Sequence, residues 1–385
     1  MEKTDFIEEL YICAKCGYCR SECPAVQFLG FETYSARGKI LTIKYIIEKA
    51  LDFSNDLMRN YYTCSLCGYC KNICPTDINL TNLFVNVRSK LLENGLIPTK
   101  IKDVLENIYK YGNAWGLPKT RRSEWAEGLK IRQYEPGLDF LYYVGDIGSY
   151  DPRAMEAAKA LSRVFSKSGI SFGILGSKEN CSGSEAFELG EMGLFELLAT
   201  SNIQLFKELN VRNIVCLSPH SYNVIKNIYP NFGGSFKVMH YTQLLERIIE
   251  EGKLILKGYE NRKIVTYHDS CFLGRWNKEC RAPRKILQAI PNVELVEMER
   301  NKDNAFCCGG GGGNCYTGFG GGLFAETSNS PSRIRVREAF ESGAEILAVS
   351  CPSCLIMFED ALKVEGLEGK IVVKDISEII NEVIA

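Results

Sequence analysis

Apolar residues along the chain change from helical spacing to short continuous runs near residue 138. In the segment LFVNVRSKLLENG they recur every three or four positions, which predicts an amphipathic helix that closes an N-terminal module near Gly95. The segment SARGKILTIKYIIEKALDF predicts an earlier helix. Residues 98–137 mix charges, prolines and two tryptophans without a strand pattern. We interpret them as a connecting segment whose Trp115 and Trp125 are packing anchors rather than electron relays.

The chain beyond Leu138 passes twice through one series of short apolar runs and amphipathic segments. FLYYVGDIGSY corresponds to KIVTYHDSCF, ISFGILGSKENCSG to VELVEMERNKDNAFCCGG, RNIVCLSPHSYNVI to AEILAVSCPSCLIM, and FKVMHYTQLLERII to KIVVKDISEII. Strands that alternate with helices are typical of α/β units around a parallel sheet. The pattern predicts two tandem Rossmann-like repeats, each with functional loops at the carboxyl ends of its strands.

Composition and charge exclude several classes of protein. The 385 residues suffice for two or three domains, and a hydrophobic content of 45% supplies ordinary cores. Because 46 basic residues balance 47 acidic ones, the net charge of -1 gives no global attraction to nucleic acid or anionic lipid. The first residues, MEKTDFIEEL, lack the apolar region of a signal peptide, and no run reaches the roughly 18 apolar residues of a membrane span. We therefore expect a soluble, cytoplasmic protein.

Seventeen cysteines indicate metal ligation, because cytosolic thiols are kept reduced and a disulfide framework is a poor explanation for them. Eight of them form two copies of the pattern C-x-x-C-x-x-C-x-x-x-C-P. In such a motif three closely spaced cysteines hold one 4Fe-4S cubane and the fourth reaches a second cluster. The first predicted cluster is held by Cys13, Cys16, Cys19 and Cys74, and the second by Cys64, Cys67, Cys70 and Cys23.

Zinc is the alternative metal for these motifs. Structural zinc sites use two C-x-x-C pairs separated by a longer loop, which these evenly spaced quartets do not offer. Gly17 and Gly68 let the backbone approach a cluster and turn its N–H groups toward sulfur. This part of the chain resembles the bacterial two-cluster ferredoxins, which implies a mostly helical module with two 4Fe-4S cubanes.

Five further cysteines fall where the second repeat places loops at three strand ends. They are Cys271, Cys307, Cys308, Cys351 and Cys354. This array, with YHDSCFLGRWN and APRKILQAIPNVELVEMER, closely resembles the CCG domain of heterodisulfide reductase subunits and their relatives. The resemblance covers nearly the whole chain. It implies a third 4Fe-4S cluster, cubane or non-cubane, held by the five cysteines.

The resemblance also implies a fold class and a domain order. The fold is a multidomain combination of α+β and α/β structure, in which a mostly helical ferredoxin module precedes two CCG-type repeats. The expected boundaries are 1–97 for the ferredoxin module, 98–137 for the connecting segment, 138–258 for the first repeat and 259–385 for the second. Similar iron-sulfur subunits work with glycolate and lactate oxidation flavoproteins, with electron-transfer flavoproteins and in class II benzoyl-CoA reductase complexes.

The first repeat departs from the CCG pattern. Of five ligand positions only Cys181 is retained, because serines stand at positions 218 and 221 and GDIGSY contains no cysteine. We therefore expect no cluster in this repeat and interpret it as a structural twin that buries apolar surface and docks partners. The alternative is a ligand site that uses Cys181 and His220. Neither His220 nor His240 has an evident acid–base partner in the sequence.

Three residues near the C-terminal site have open roles. Cys280 fits an ordinary half-buried thiol at a helix start. Cys315 is a bystander in the favoured interpretation, with a redox-active thiol or an additional ligand as alternatives. His268 could carry a proton near the cluster or contact a substrate, or it could merely tie down the turn with Asp269. His268 and Cys315 are the candidate catalytic residues.

The run FCCGGGGGNCYTGFGGG could be a linker, a phosphate loop, a disulfide or half of a metal site. A linker is misplaced between two cluster-binding loops, and no Lys-Ser or Lys-Thr follows the glycines as in a phosphate loop. A disulfide between adjacent cysteines would strain the peptide between them. We predict that the glycines leave room for the backbone to close over a cluster.

Three functions follow from these patterns. The favoured one is an electron-transfer subunit of a hetero-oligomer, linking a flavoprotein, an electron-transfer flavoprotein or an acyl-CoA redox enzyme to another carrier. The second is an enzyme that reduces a coenzyme B–coenzyme M type disulfide at the C-terminal cluster. The resemblance argues against it, since the family's catalytic subunit takes one cluster from each repeat. The third is a redox sensor or scaffold. The sequence contains no DNA-binding segment or basic patch that would support this function.

Overall fold

The computed structural model describes residues 5–318 and 329–385, and a helical region comes first. Two of its helices begin at serine caps, because Ser35 and Ser54 accept hydrogen bonds from the backbone N–H groups of Gly38 and Leu57. The helices are α1 (Asp5–Ile12), α2 (Pro24–Leu29), α3 (Ala36–Ile47), α4 (Asn55–Tyr62), α5 (Tyr69–Asn72), α6 (Leu80–Glu93) and α7 (Thr99–Tyr111). Short 3₁₀ segments cover Tyr18–Arg20, Glu32–Tyr34 and Lys119–Ala126.

A parallel sheet with the strand order β1-β3-β2-β4-β5 follows. Its strands are β1 (Arg132–Gln133), β2 (Phe140–Tyr143), β3 (Phe172–Ile174), β4 (Asn213–Cys216) and β5 (Lys237–His240). All four residues of β2 are buried, as expected for a parallel strand covered on both faces. The flanking helices are α8 (Gly145–Tyr150), α9 (Pro152–Lys167), α10 (Ser184–Leu189), α11 (Met192–Glu208), α12 (Pro219–Asn227) and α13 (Tyr241–Glu250), with 3₁₀ segments at Gly176–Lys178 and Tyr229–Phe232.

A second parallel sheet has the order β7-β6-β8-β9. Its strands are β6 (Lys263–Tyr267), β7 (Val293–Val296), β8 (Ile346–Val349) and β9 (Val372–Asp375). Its helices are α14 (Cys271–Asn277), α15 (Arg281–Gln288), α16 (Asn314–Thr317), α17 (Pro331–Glu341), α18 (Pro352–Val364) and α19 (Ile376–Val383), with a 3₁₀ segment at Lys302–Asn304. The order β7-β6-β8-β9 repeats the order β3-β2-β4-β5, so the two segments that share a sequence pattern also share a strand order.

The segment 98–137 differs from its sequence interpretation. It contains helix α7 and strand β1, which pairs with β3, although no strand was expected there. A strand of two residues with both side chains exposed is too short to show an alternating apolar pattern. Trp125 is buried and packs edge-on against Tyr142, and Trp115 packs against Tyr150 and Tyr316, so both tryptophans have the contacts of packing anchors.

The three regions share their apolar cores. One core combines the N-terminal helices with one face of the first sheet, and another combines residues of both sheets. A third surrounds the C-terminal cysteines and also includes Cys67 from the N-terminal region. Within residues 5–318 and 329–385, no helix has the length and apolar character needed to cross a bilayer.

Candidate iron-sulfur sites

The same left-handed turn begins the helical part of each four-cysteine motif. Gly17 and Gly68 have φ angles of 87° and 77°, a conformation that residues with side chains rarely adopt. The two motifs lie side by side, since Ser21 Oγ and Tyr69 Oη are 3.1 Å apart. The repeated sequence is thus a repeated local structure.

Thiols from both motifs line one small cavity. Its wall contains the whole set predicted for the second cluster, and Cys19 also reaches it. The set consists of Cys23 from the first motif and Cys64, Cys67 and Cys70 from the second. A cavity lined by thiols of both motifs is what interleaved ligation requires.

The set predicted for the first cluster lies nearer the surface. Cys16 is exposed, whereas Cys13, Cys19 and Cys74 are partly buried. Burial, together with the thiolate charges of Cys23, Cys13 and Cys16, raises the pKa of Cys19 to about 11, so Cys19 lies near thiols of both predicted sets. Cys74 Sγ lies 3.3 Å from Thr76 Oγ1, and its membership of this set stays a prediction.

Buried positive charges lie beside the thiol-lined cavity. Lys39 is 1% exposed and its Nζ donates to the carbonyl of Tyr34 at 2.5 Å. Arg88 is fully buried and its Nη2 donates to the carbonyl of Cys64 at 2.5 Å. Burial lowers the pKa of Lys39, and the thiolates of Cys64 and Cys23 oppose that effect. A buried cation needs a counter-charge, so these side chains fit a negatively charged cluster in the cavity.

The second sheet brings its five cysteines together in one buried site. Cys271 Sγ lies 3.9 Å from Cys307 Sγ, and Cys354 Sγ lies 3.3 Å from Cys308 Sγ. Cys351 contacts Cys354 through a hydrogen bond. All five thiols are at most 5% exposed. The five predicted ligands therefore do converge, from the loops that follow β6, β7 and β8.

Backbone dipoles point at these thiols. Gly309 N–H donates to Cys307 Sγ at 3.3 Å, and Gly310 N–H donates to Cys308 Sγ at 3.4 Å. Cys351 is the N-cap residue of helix α18, whose positive end favours an anion. The donor set of five thiols with convergent N–H groups fits an iron-sulfur cluster, whose sulfur atoms accept hydrogen bonds.

His268 lies against this site with one nitrogen unpaired. A ring nitrogen of His268 is within 4.8 Å of the Sγ atoms of Cys308 and Cys354. Arg335 Nε donates to Nδ1 at 3.2 Å, and among the described residues Nε2 has no hydrogen-bond partner. Burial, and then the Arg335 guanidinium, lower the pKa of His268 to about 3. A buried donor without a partner is unusual in a folded protein and fits a bound group that offers an acceptor.

His220, from the first α/β region, also reaches the C-terminal site. Its Nδ1 lies 2.7 Å from a carboxylate oxygen of Glu188, and its ring stacks on Phe272 with centroids 4.0 Å apart. Burial opposes the charged form of Cys351, but hydrogen bonds from Cys354 and His220 outweigh it and lower the pKa of Cys351 well below its usual value. The structure gives His220 a partner that was not evident in the sequence, Glu188, and brings the ring to Cys351.

The N-terminal cavity and the five-thiol site touch each other. The thiols of Cys67 and Cys307 are neighbours in one buried cluster of side chains. The buried Arg275 lies between the two sites, where its Nε donates to the carbonyl of Cys67 at 2.7 Å and its Nη1 to the carbonyl of Ala305 at 2.5 Å. Burial opposes its charge, yet the thiolates of Cys67, Cys271 and Cys307 hold the pKa of Arg275 above its ordinary value.

The glycine run makes this approach possible. A Cβ atom on Gly311 would lie 2.4 Å from the carbonyl oxygen of Ser65, and one on Gly312 would lie 2.4 Å from that of Cys64. The space that side chains would fill at these two positions is thus taken by the backbone of the second four-cysteine motif. The glycines at 320–322 lie outside the described residues.

The corresponding place in the first α/β region holds an ionic network. Arg122, from the connecting segment, is fully buried and donates to Asp146 at 2.6 Å and to Glu179 at 3.1 Å. Cys181 Sγ lies 3.1 Å from a carboxylate oxygen of Glu185. Burial raises the pKa of Asp146 to about 6 despite the guanidinium. What disfavours a cluster here is that cysteine is retained at only one of the five ligand positions.

The remaining candidates lie at the edges of these sites. Cys315 is half-buried, and a Cβ atom on Gly310 would lie 3.5 Å from Cys315 Cβ and 3.6 Å from Cys308 Sγ, so Cys315 lies near the five-thiol site. Its role stays a prediction. Cys280 is a half-buried N-cap residue of helix α15, as expected for an ordinary thiol at a helix start. His240 is buried in a capping box at the start of helix α13, where its Nδ1 is 2.8 Å from Thr242 Oγ1.

Sequence reasoning missed the cations and the carboxylate that support these sites. Arg275 had a detectable signal, because it follows Cys271 by one helical turn and so lies on the same helix face. Lys39 and Arg88 interrupt apolar stripes of otherwise amphipathic helices, which is a weaker signal. Arg335 and Glu188 carried none, since only the tertiary fold brings them to the cysteines.

Comparison with known protein families agrees with this geometry. The family model of a 4Fe-4S dicluster domain matches residues 9–78, and that of the cysteine-rich CCG domain matches residues 145–226 and 265–359. The chain is therefore an iron-sulfur protein of the oxidoreductase class.

One subunit of the dihydromethanophenazine:CoB–CoM heterodisulfide reductase of Methanosarcina barkeri is 30% identical over 97% of this chain and 94% of that protein. This chain belongs to the family of iron-sulfur proteins that includes the Methanosarcina protein.

Longer relatives and one solved structure are also similar. The probable iron-sulfur-binding oxidoreductase FadF of Bacillus subtilis is 30% identical over 97% of this chain, and EtfAB:quinone oxidoreductase of Syntrophomonas wolfei is 33% identical over 83%. The alignments cover 60% and 46% of those proteins, so this chain corresponds to about half of each. A crystal structure of a hypothetical protein from Helicobacter pylori has a TM-score of 0.60 over 98% of this chain and 70% of that one, at 10% identity, and shows a similar fold.

Proposed function

We propose that this chain is an electron-transfer subunit of a larger redox complex. Two 4Fe-4S cubanes in residues 1–97 and a third cluster in residues 259–385 form its electron path, and the Rossmann-like unit of residues 138–258 carries no cluster. Residues 98–137 join the two parts. A 4Fe-4S cluster takes up and releases single electrons, and the protein sets its potential through charge, burial and hydrogen bonds.

The contact between Cys67 and Cys307 carries this proposal. It puts a ligand of the second cubane against a ligand of the C-terminal cluster, while Cys16 of the first cubane is exposed. The exposed side chains of Tyr18 and Phe31 lie on the same part of the chain and offer a surface on which a redox partner can dock. The path thus runs from a surface cluster to a buried one.

The partner we propose is a flavoprotein, an electron-transfer flavoprotein or an acyl-CoA redox enzyme, with a further carrier completing the hetero-oligomer. The name of the Syntrophomonas relative pairs EtfAB with quinone, which supports a partner of this kind. A second candidate is reduction of a CoB–CoM type heterodisulfide at the C-terminal cluster, which the name of the Methanosarcina relative favours. The loss of four of the five cysteines from the first repeat weighs against it, because that mechanism needs a cluster from each repeat.

Iron analysis and EPR on anaerobically purified protein test the proposal. We expect about twelve iron atoms per chain and three reducible clusters, and Cys271→Ser should abolish one EPR signal while leaving both cubane signals. A chain with fewer than about eight iron atoms would contradict the two-cubane assignment. Reduction of CoB–CoM heterodisulfide by the isolated protein with reduced viologen would favour the second candidate.

A further inference from the structure

The environment of His268 fixes which of its nitrogens carries a proton. Arg335 is fully buried, its Nε donates to His268 Nδ1 at 3.2 Å, and its Nη1 donates to Glu338 at 2.7 Å. A guanidinium has only donors, so Nδ1 must present its lone pair. In a neutral imidazole the proton then resides on Nε2, which is therefore a hydrogen-bond donor.

This tautomer excludes two roles for His268, that of an iron ligand through Nε2 and that of a proton acceptor at Nε2. A histidine that binds iron through Nε2 needs its proton on Nδ1, where Arg335 already donates. For the same reason Nε2 has no lone pair with which to accept a proton. What remains is a buried N–H group without an acceptor among the described residues, on a ring that has one nitrogen within 4.8 Å of the Sγ atoms of Cys308 and Cys354.

We propose that His268 Nε2–H donates a hydrogen bond to a sulfur atom of the C-terminal cluster and that Arg335 is the positioning residue that holds this tautomer. The proposal rests on the third cluster of the proposed function. A hydrogen bond to sulfur is stronger when the cluster carries the extra electron, so it stabilises the reduced form and raises the potential. His268 thus makes the buried end of the electron path a better electron acceptor.

A pair of variants separates this role from simple packing, for which the edge-on contact of His268 with Phe358 at 4.7 Å would suffice. Glutamine offers an acceptor for Arg335 and an N–H donor side by side, whereas leucine fills space without either. At a fixed potential we expect His268→Leu to decrease the ratio of reduced to oxidised C-terminal cluster about tenfold, which for a one-electron couple is a shift of about 59 mV. His268→Gln should retain most of the wild-type potential.

The measurement is an EPR-monitored redox titration of the full chain, with the two cubane signals as internal references. Pulsed EPR in D₂O should also detect an exchangeable deuteron near the cluster in wild type and His268→Gln but not in His268→Leu. Equal potentials in wild type and His268→Leu would overturn the proposal, and so would loss of the cluster in both variants, which would indicate ligation. A wild-type chain with only about eight iron atoms would instead refute the proposed function.

Discussion

Lys39 places a full positive charge in an apolar interior, with a carbonyl group as its described hydrogen-bond partner. Burying an ammonium group without a counter-ion is costly. The thiolates of Cys23 and Cys64 are anionic neighbours, so the charge of Lys39 is compensated when those thiols are ionised as cluster ligands. The side chain thereby becomes part of the electrostatics of the second cubane.

Lys39→Met should lower the potential of the second cubane, because the reduced cluster loses a nearby positive charge. We expect the ratio of reduced to oxidised cubane at a fixed potential to fall roughly tenfold. An EPR redox titration measures this ratio. Lys44→Met is the control, because Lys44 lies on the same helix but is partly exposed and 3.8 Å from Glu48, and it should leave all potentials unchanged.

His220→Leu should perturb the C-terminal cluster although residue 220 belongs to the other α/β region. Loss of its contact with Cys351 removes a hydrogen bond to a ligand thiolate, and we expect the potential of that cluster to fall by the equivalent of about a tenfold change in the redox ratio. The cubane signals should not change. If all three clusters kept their wild-type potentials, the first region would contribute only packing to the site.

The spacing of the cysteines predicted which of them are cluster ligands, because a short motif holds a cluster through residues that are close together in the chain. The same reasoning could not find Arg335, Glu188 or the contact of His220 with Cys351, since each of these depends on contacts between distant segments. His220 is the clearest example, because the sequence placed it in a degenerate loop and the fold carries that loop to Cys351.

The glycine loop, residues 309–313, joins two elements of the fold, because it lets the loop of the second four-cysteine motif pack against it. Gly311→Ala should force the two loops apart, because its Cβ would lie 2.4 Å from the carbonyl oxygen of Ser65. We expect a loss of stability of about 1–3 kcal/mol and slower reduction of the C-terminal cluster by the cubanes. Anaerobic urea unfolding and freeze-quench EPR measure the two effects.

Gly193→Ala is the matched control for the glycine loop. Its nearest neighbour at the Cβ position is a flexible carboxylate oxygen of Glu191 at 3.4 Å, and alanine favours the helix in which it lies. This variant should therefore be as stable as wild type or slightly more stable, with unchanged electron transfer. A Gly311→Ala variant that behaved in the same way would show that the loops can separate without consequence.

The connecting segment stabilises the first α/β region through Arg122. Arg122→Met leaves Asp146 and Glu179 buried without their cation, and we expect the free energy of unfolding to fall by about 3–5 kcal/mol. Arg121→Met removes the neighbouring exposed ion pair with Glu124 and should cost at most about 1 kcal/mol. Equal stabilities of the two variants in anaerobic urea titrations would contradict this account.

Much of the element order could be predicted from the sequence, because short apolar runs separated by amphipathic segments mark buried strands and their helices. Strand β1 could not be predicted, because its two exposed residues show no alternation of apolar and polar positions. The ionic network of the first region could not be predicted for a different reason. Asp146 and Glu179 belong to the repeat, but their cation, Arg122, comes from a segment that packs in from outside it.

At the scale of the whole molecule, the two α/β regions meet at Asp375. Tyr241 Oη donates to this buried carboxylate at 2.7 Å, across the contact between helix α13 and the end of strand β9. Burial raises the pKa of Asp375 to about 7, above its ordinary value of 3.8. Between these values the folded protein holds a proton that the unfolded chain has released. The corresponding stability is present at low pH and is lost as the pH rises through 7.

Asp375→Asn should remove this dependence, since asparagine stays neutral and is also a good helix cap. We expect the stability of the variant relative to wild type to increase from pH 5 to pH 8, by at most about 1.4 kcal/mol per pH unit. Anaerobic urea unfolding of both proteins at the two pH values measures this difference. A constant difference would mean that Asp375 titrates near its ordinary pKa in the folded protein.

The close packing of the C-terminal thiols also constrains how the protein is made. In the folded protein these thiols are at most 5% exposed, so solvent has little access to them. We therefore expect insertion of a cluster to require local opening of the loops that cover the site. If the cluster were lost in air, oxidation of the neighbouring thiols of Cys308 and Cys354 to a disulfide would block its reassembly.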